Sequence, residues 1–397
     1  MGTSVGVGQS SKREDFQAGR EAAQRAFEQM GREKADLVLV FATVGYDQRK
    51  LMEGIKDVTG NTPLSGCSGE GIITQHGSDE GSHAVAVMAV HSQEMTFRTF
   101  QIGRLSQRSR ECGLELAAQL SRISSIEDKL LLLFPDGLKV NCTQLLSALE
   151  TNLRFPLKIV GGTAGDVGRL MGTYQYYDGL VNSDAVSAVL VRGEVSLEIV
   201  AGHGCEPVGV ERIITRAQGN RVEEIDGIPA WAVFKEYLDG DPESLHAEDV
   251  VHLCIGEKLP ENESYTYNRY IIRTPLGLDN KTGSLFFPTE ISPGTKIQMT
   301  RRDPQKIAEN ARLLAQQIKS RHPDQKPVAV LQFDCAGRGR VLFGERINEL
   351  TIHPVQNILG KTIPWIGFHT FGEIAPLTGA TYFHNYTIVL CALYAIA

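Results

Sequence analysis

The sequence lacks long apolar runs and a strong charge of either sign. No stretch of eighteen uncharged apolar residues occurs, and the longest candidate, KLLLLFPDGL, has the length of a strand and ends at Pro-Asp-Gly. The formal net charge of -7 over 397 residues gives no basic footprint for a polyanion. We therefore expect no membrane insertion and no nucleic-acid partner. The N-terminal segment also lacks the apolar stretch of a signal peptide, so we expect a cytoplasmic protein.

Paired cysteines and phosphate-binding loops are absent as well. The seven cysteines are an odd number without the paired spacings of zinc or redox sites, which indicates reduced, buried thiols. Without a Cys-x-x-Cys-His motif, any haem would be held noncovalently. The stretches GVGQSS and GRGRVL lack the Lys-Ser or Lys-Thr of a P-loop, so nucleotide binding has no positive signal.

What the sequence does contain is a recurring order of a buried strand, a helix and two further strands. The order appears at ADLVLVFAT, at KLLLLFPDG and at PVAVLQFDCAG, and each time a glycine followed by an acid comes after the second strand. These glycine-acid bends are Gly69-Glu70, Gly165-Asp166 and Gly372-Glu373. The first two bends are 96 residues apart. The last two are 207 residues apart, a little over twice that interval, which indicates duplication with a fourth, eroded copy at Gly256-Glu257.

Duplication predicts both the fold and the role of the bends. We expect an α/β protein with mixed sheets, in which two domains of duplicated strand-helix-strand-strand units form helix-covered layered sandwiches. A feature present in every copy serves folding, so Glu70, Asp166 and Glu373 are interpreted as acids that bond the amides of their own turns. Features found in one copy only, such as Cys67, His369 and the Phe368-Phe371 pair, are better functional candidates.

Three motifs in order resemble those of a known family. PLSGCSGEG, EEIDGIPAWAVFKEYL and GFHTFGEIAP with the later FHNYT look like the FIST proteins, which combine a FIST N-terminal and a FIST C-terminal domain. On this resemblance we expect a lead helix in residues 1–30, a FIST N-terminal domain in 31–219 and a FIST C-terminal domain in 220–397. The boundary falls near Gly219-Asn220.

The resemblance implies a sensory, ligand-binding role in bacterial signal transduction rather than an enzyme. Stand-alone members with two such domains resemble haem-binding, nitric-oxide-sensing FIST proteins that control a partner histidine kinase. This implies noncovalent haem b as the cofactor and nitric oxide as the signal. The alternative is a sensor of a small organic ligand such as an amino acid, without haem. A second alternative is a thiol-dependent hydrolase with Cys67 as nucleophile.

Candidate ligand-binding residues follow from these motifs. His369 between Phe368 and Phe371 suits a haem or a flat organic ligand, because iron binds imidazole nitrogen and the macrocycle needs apolar walls. A histidine packed in the core is the alternative. The remaining candidates are Glu373, His384 and Asn385 of the closing motif, Cys67, and the pair His252 and Cys254, which alternate onto one face of a predicted strand. His369 and His252 are the candidate metal ligands, with core packing as the alternative for His252 and Cys254.

Overall fold

The computed structural model describes residues 2–238, 252–259, 269–377 and 379–395, and it has the expected α/β fold with mixed sheets. The chain divides into two compact units. Unit 1 comprises residues 1–201, 312–383 and 388–397, and unit 2 comprises residues 202–311 and 384–387. None of the described helices is long and apolar enough to cross a membrane.

Unit 1 contains three copies of one plan within its described residues. The first copy consists of β1 (Ser4–Ser10), α1 (Asp15–Met30), β2 (Leu37–Ala42), α2 (Gln48–Thr59), β3 (Leu64–Ser68), β4 (Gly71–Thr74), β5 (Gly77–Asp79) and β6 (Val85–His91). The second consists of β7 (Met95–Gly103), α3 (Ser109–Ile123), β8 (Asp128–Pro135), α4 (Cys142–Glu150), β9 (Lys158–Thr163), β10 (Gln175–Tyr177), β11 (Leu180–Asn182) and β12 (Ala185–Gly193).

The third copy is interrupted by the chain of unit 2. It begins with β13 (Val195–Gly202), after which unit 2 contributes β14 (Glu206–Gln218), β15 (Arg221–Ile225), β16 (Ile228–Pro229), α5 (Ala230–Lys235), β17 (Leu253–Lys258), β18 (Tyr270–Arg273), β19 (Gly277–Asp279), β20 (Ser284–Phe286) and β21 (Lys296–Arg301). It resumes with α6 (Pro304–Arg321), β22 (Ala329–Cys335), α7 (Arg340–Phe343), α8 (His353–Leu359), β23 (Trp365–Thr370), β24 (Gly372–Leu377), β25 (Ala380–His384) and β26 (Ile388–Ala395). The insertion accounts for the longer interval between the second and third bends.

Each copy builds most of one sheet and gives two strands to the sheet of another copy. The three sheets have the orders β1-β6-β2-β3-β10-β11, β7-β12-β8-β9-β24-β25 and β13-β26-β22-β23-β4-β5. In each sheet the two strands that flank a helical crossover, such as β2 and β3, are parallel, and the donated strand joins antiparallel. The exchange is cyclic: the first copy completes the third sheet, the second completes the first, and the third completes the second.

The local sequence explains these elements. The strands β2, β8 and β22 are continuous apolar runs because both of their faces are covered. Helix α2 begins where the carboxylate of Asp47 accepts the backbone N–H groups of Arg49 and Lys50. Helix α1 ends at Gly31, whose φ of 68° suits a left-handed cap. Small buried residues of α1, mainly alanines, pack it closely on the first sheet.

A cluster of phenylalanines lies where the three copies meet. Phe41 of β2, Phe134 of β8 and Phe333 of β22 occupy the equivalent position of each copy. Their ring centroids are 5.3 to 6.4 Å apart, and Phe368 of β23 stacks on Phe41 at 4.5 Å. Edge-to-face and stacked rings of this kind stabilise a core beyond the area they bury. The cluster therefore fixes the relative positions of the copies.

Unit 2 is built around a mostly antiparallel sheet with the order β18-β17-β21-β14-β15-β20-β19, to which β16 is attached through β15. Its core packs α5 residues such as Trp231 and Phe234 against Ile255 and Met299 of the sheet. The expected fourth copy is not found at Gly256 and Glu257, because β17 lies between two antiparallel partners and is not part of a parallel pair such as flanks the crossover in the three copies. The predicted boundary near Gly219-Asn220 stays a prediction about the family domains.

Candidate functional site

The three glycine-acid bends lie where one copy meets the next, and they are linked in a ring. One residue at or next to each bend donates a backbone N–H to the strand of another copy. The bonds run from Glu70 N to His369 O (2.9 Å), from Gly165 N to Ser68 O (3.0 Å) and from Phe371 N to Thr163 O (3.2 Å). The three donors lie at equivalent positions of the three copies, but they are an acid, a glycine and the residue before a glycine, so the glycine-acid pairs themselves are offset from copy to copy.

The carboxylates of the bends bond to the protein's own turns. Glu70 Oε1 accepts the N–H groups of Asp166 and Gly168 at 2.8 and 3.0 Å. The Asp166 carboxylate accepts three further backbone N–H groups, those of Leu170, Met171 and Gly172. Asp166 therefore bonds the amides of its own turn, as expected, whereas Glu70 bonds amides in the turn of the second copy instead of its own. Burial raises the pKa of the Glu70 carboxyl, and the hydrogen bonds from Gly168 and Asp166 oppose this.

The third acid, Glu373, is also buried, and its carboxylate accepts a short hydrogen bond from the Thr370 hydroxyl. It lies in β24, in register with Gly162 of β9. This setting is that of a core residue at a sheet junction. The structure gives Glu373 no position beside His369 or Phe368 in a shared pocket, and its role as a ligand-binding residue stays a prediction.

His369 and Phe368 are separated in the structure. They are consecutive residues of strand β23, which places their side chains on opposite faces. Phe368 belongs to the central phenylalanine cluster. Phe371 is half-buried beyond the strand end. The expectation of a histidine enclosed by both rings is therefore not met.

The imidazole of His369 is completely buried among polar groups. Its Nε2 lies 2.8 Å from Ser78 Oγ and 3.6 Å from Glu80 Oε1, and its Nδ1 has no hydrogen-bond partner among the described residues. In a catalytic serine-histidine-acid triad the serine and the acid contact opposite ring nitrogens. Here both approach Nε2, so the cluster does not have triad geometry.

The surroundings of His369 also do not suit an axial ligand of haem. An axial histidine needs a free nitrogen directed at a space with apolar walls. His369 instead packs against the hydroxyl of Ser78 and the carboxylate of Glu80, and the expected wall Phe368 faces the other way. Among the residues that the structure describes, no three His, Cys, Asp or Glu side chains converge as a metal site.

Cys67 lies in the middle of the first sheet. It is fully buried in β3 and in register with Phe41 of β2 and Gln175 of β10. Burial raises the pKa of its thiol well above the ordinary value. A thiol that resists ionisation is a poor nucleophile, so the surroundings of Cys67 do not favour the hydrolase alternative.

His252 and Cys254 differ in exposure. His252 is exposed in the turn before β17, and Cys254 is buried within the strand. The expectation that both project into one pocket from a strand face is incorrect, because the strand begins only at Leu253. Burial is the main cause that raises the pKa of the Cys254 thiol, which argues for an inert side chain. Ligand binding by either residue stays a prediction.

The closing motif places His384 and Asn385 in unit 2, where both are buried. His384 ends β25, and the backbone carbonyl of Asn385 accepts the hydroxyl of Thr387 at 3.1 Å. The amide oxygen of Asn385 has no hydrogen-bond partner among the described residues. Of the residues predicted from the closing motif, Asn385 thus has a side-chain oxygen that remains available to accept a hydrogen bond.

The structure also contains an open cleft that the sequence patterns did not reveal. It has a volume of about 490 Å³ and lies in unit 1, where the loop before α2 meets strands donated by the second copy. We call it the α2 cleft. Its lining residues are Tyr46, Asp47, Gln48, Arg49, Tyr174, Val181, Asn182 and Ser183. This volume lies in the usual range for small-molecule sites, roughly 300 to 1,000 Å³.

Part of the cleft wall is rigid and hydrogen-bonded. Gln48 is buried, and its amide donates to the carbonyl oxygens of Thr43 and Tyr46 at 3.1 and 3.0 Å. The Tyr176 hydroxyl donates to Gln48 Oε1 from the neighbouring strand β10. Helix α2 starts at this wall and directs its N-terminal end to the same place. Gln48 is therefore a fixed structural element rather than an adaptable contact.

Two other polar groups of the cleft remain without a partner among the described residues. These are the hydroxyl of Tyr46, whose side chain is only 4% exposed, and the amide nitrogen of Asn182. Burial raises the pKa of the Tyr46 phenol, and the charges of Asp79, Asp15 and Glu21 raise it further. The phenol is thus a neutral donor and acceptor. Buried polar groups without partners destabilise a protein, and both of these belong to residues that line the α2 cleft.

Comparison with known proteins agrees with the sequence motifs. The FIST N domain matches residues 36–228 and the FIST C domain matches residues 230–376. An uncharacterized protein of Mycobacterium bovis, Mb0898c, is 26% identical over 386 residues, which cover 96% of this chain and 97% of the relative. Rv0628c of Mycobacterium tuberculosis, also uncharacterized, is 28% identical over 389 residues, with 96% and 97% coverage.

Among solved structures, a crystal structure of chorismatase covers 100% of this chain and 99% of that chain with a TM-score of 0.37 and 9% identity. FIST domains serve generally as sensory domains in signal transduction. Since the two family domains follow one another over most of the sequence, the chain belongs to the FIST domain proteins.

Proposed function

We propose that this protein senses a small organic ligand with a carboxylate and an amino group, such as an amino acid, and that the α2 cleft binds it. The observation that carries the proposal is an open cleft of about 490 Å³ lined by two residues, Tyr46 and Asn182, each of which has a buried polar atom without a partner among the described residues. The sensory role comes from the FIST domains. The copies of the repeat differ at the α2 cleft, and we expect ligand specificity to lie where the copies differ.

The charges of the cleft support a zwitterionic ligand. Arg49 supplies an exposed cation beside the donors of Tyr46 and Asn182, and together they suit a carboxylate. Asp47 lines the same cleft, and one of its oxygens already caps α2, so its negative charge favours an ammonium group nearby. The size of the cleft suits a small organic molecule.

The signal passes to another protein under this proposal, because a sensor acts through a partner with different affinity for the ligand-free and ligand-bound states. A histidine kinase is the proposed partner, on the resemblance to FIST proteins that control such kinases. A cytoplasmic location is part of the same proposal.

A binding experiment tests the cleft directly. Purified protein is titrated with each of the twenty amino acids, and the melting temperature is followed, since a ligand that binds only the native state raises it. We expect at least one amino acid to raise the melting temperature of the wild type and of Tyr394→Phe, a buried tyrosine of β26 outside the cleft. Tyr46→Phe and Asn182→Ala should each weaken binding roughly tenfold, the value of one hydrogen bond.

Two results would contradict the proposal. One is a panel in which no amino acid shifts the wild-type melting temperature. The other is a ligand whose affinity is unchanged in both Tyr46→Phe and Asn182→Ala, because that ligand binds elsewhere. Arg32→Ala, which removes an exposed arginine outside the cleft, controls for the change in net charge when Arg49→Ala is measured.

Haem with nitric oxide as the signal is the second candidate, and it rests on the resemblance to nitric-oxide-sensing members of the family. Reconstitution with haem b and visible spectroscopy test it. An intense Soret band that moves on addition of nitric oxide would support haem binding, and its loss in His369→Ala would overturn the conclusion that the surroundings of His369 do not suit an axial ligand. A spectrum identical to free haem would count against this candidate and leave the α2 cleft proposal untouched.

A further inference from the structure

A small apolar cavity lies inside unit 1, between strands of all three sheets. It has a volume of about 30 Å³, roughly the space that one water molecule occupies in the liquid. Every residue that lines the cavity has an apolar side chain. We call it the three-sheet cavity. It shares no lining residue with the α2 cleft, so it is a separate feature of the unit.

The repeat explains why the wall of this cavity is incomplete. Four positions ahead of the cluster phenylalanine of β2, β8 and β22, the three copies carry Leu37, Leu130 and Ala329. All three residues line the cavity. The third copy therefore has a methyl group where the first and second copies have the much larger side chain of leucine. Ala329 is only 3% exposed, so its small size leaves space inside the protein and not at its surface.

The neighbouring strand compensates for this difference only in part. Leu393 of β26 is the register partner of Ala329. The partners at the equivalent positions of the other copies are valines, Val90 and Val191. Leucine is one carbon larger than valine, whereas alanine is three carbons smaller than leucine, so the third copy fills its share of the wall with less side-chain volume. Atoms that line an empty space lose dispersion contacts, which an apolar guest would restore.

One side of the cavity lies near the surface. Val5, Phe97 and Val328 line it and are half-buried, whereas the other lining residues are buried. Met88 and Met95 also belong to the wall, and methionine side chains adapt to irregular spaces because they are unbranched and have three rotatable bonds. A guest thus has a short path from solvent past the half-buried side chains, and the wall can adjust to it.

We propose that the three-sheet cavity binds a compact apolar group, either a gas molecule such as xenon or dioxygen or the terminal methyl group of an alkyl chain. Empty apolar cavities in proteins stay dry and take up xenon or, where they are larger, benzene. Water is disfavoured there because the lining side chains offer it no hydrogen bond. The half-buried side gives an alkyl chain a way out to solvent. The proposal concerns unit 1 alone and does not depend on a ligand in the α2 cleft.

Nuclear magnetic resonance of the full chain tests the site with two probes. The chemical shift of ¹²⁹Xe reports a bound gas, and octanoate that is ¹³C-labelled at its terminal methyl group reports a bound alkyl chain, so the two sources are distinguished. We expect at least one probe to bind the wild type. Ala329→Leu gives the third copy the leucine of the other two and should abolish that binding, because the added carbons occupy the space of the guest.

Leu393→Ala changes the cavity in the opposite direction. It enlarges the space opposite Ala329, so the preferred probe should bind more tightly than it binds to the wild type. Leu313→Ala is the matched control, because Leu313 of α6 is 54% exposed and lies outside the cavity. This variant should bind the probe as the wild type does. Unspecific contact of xenon with the protein surface contributes equally to all variants and cancels in the comparison.

Two results would overturn the proposal: that neither probe binds the wild type, or that Ala329→Leu binds the preferred probe as well as the wild type does. Circular dichroism and the melting temperature verify that each variant is folded. Should leucine not fit at position 329, Ala329→Val, which adds two carbons instead of three, decides in its place. Unchanged binding in that variant would then overturn the proposal.

Discussion

The carboxylate of Glu70 accepts the backbone N–H of Asp166 at 2.8 Å, and this bond joins two bends that are 96 residues apart in the chain. Glu70 belongs to the first copy of the repeat and Asp166 to the second. A side chain that lies in a bend of its own copy therefore also fixes the bend of its neighbour. The bond explains how the strand exchange is held in register at the centre of unit 1.

Glu70 should make stability depend on pH. Burial is the largest cause and raises its pKa in the folded state, so its contribution is complete below the unfolded pKa, near 4.3, and is lost as the pH rises through the folded value. Glu70→Gln keeps an oxygen for the two N–H donors but does not titrate. We expect the free energy of unfolding of the wild type to fall relative to the variant above about pH 4.

Urea denaturation at several pH values between 4 and 7 measures this difference. Glu345→Gln removes a carboxylate whose side chain is 79% exposed and serves as the matched control. If the free energies of unfolding of the wild type and Glu70→Gln change in parallel over the whole pH range, Glu70 does not change its proton affinity on folding.

The phenylalanine cluster predicts a large loss of stability on truncation. Phe134 is completely buried against Phe41, Phe333 and Phe368. Phe134→Ala leaves a cavity between the three copies and should lower the free energy of unfolding by about 3 to 5 kcal/mol. Phe155→Ala, at a side chain that is 44% exposed, should cost less than about 1 kcal/mol. Similar losses in the two variants, measured by chemical denaturation, would contradict a central role of the cluster.

The loop after Asp166 stores backbone strain. Val167 has a φ of 59° and Leu170 a φ of 53°, and left-handed backbone is costly for a β-branched residue such as valine. Glycine removes this strain but is more flexible when unfolded. We expect Val167→Gly to raise the free energy of unfolding by up to about 1 kcal/mol. Val210→Gly in strand β14 should lower it, and a loss in both variants would mean that Val167 packing outweighs the strain.

The thiols should be unreactive in the folded protein. All seven cysteines are buried, and burial raises the pKa of Cys391 to about 12. At pH 8 very little of such a thiol is ionised, and the thiolate is the reactive form. Labelling with a disulfide reagent should be slow in buffer and should reach seven thiols per chain in urea. Fast labelling that disappears in Cys67→Ser would instead identify Cys67 as an activated thiol and revive the hydrolase alternative.

The sequence predicts the repeat and the bends but not the way in which the copies combine. Gly69-Glu70 and its counterparts are local patterns, and local hydrogen bonds such as those of Asp166 follow from them. The pairing of β4 with β23 is a contact between residues almost 300 apart, and no spacing in the sequence indicates it. The continuous apolar strands indicate burial on both faces without naming the partner.

The candidate site shows the same limit. His369 was selected for its neighbours in sequence, but alternation along β23 sends Phe368 to the opposite side. The α2 cleft combines Tyr46 and Arg49 of the first copy with Tyr174 and Asn182 of the second, which lie more than a hundred residues away. Asp47 of this loop is the kind of residue that caps a helix, and it caps α2, so its presence in the sequence indicates the helix and not a ligand.

The cyclic strand exchange has a consequence for biosynthesis. Strand β4 emerges from the ribosome early, but its partner β23 follows almost 300 residues later, since Ile72 pairs with Phe368. Until then the nascent polypeptide carries an open sheet edge of the kind that invites aggregation. We therefore expect chains that terminate ahead of β23 to be insoluble, and we expect folding to depend on protection of that edge until the last copy arrives.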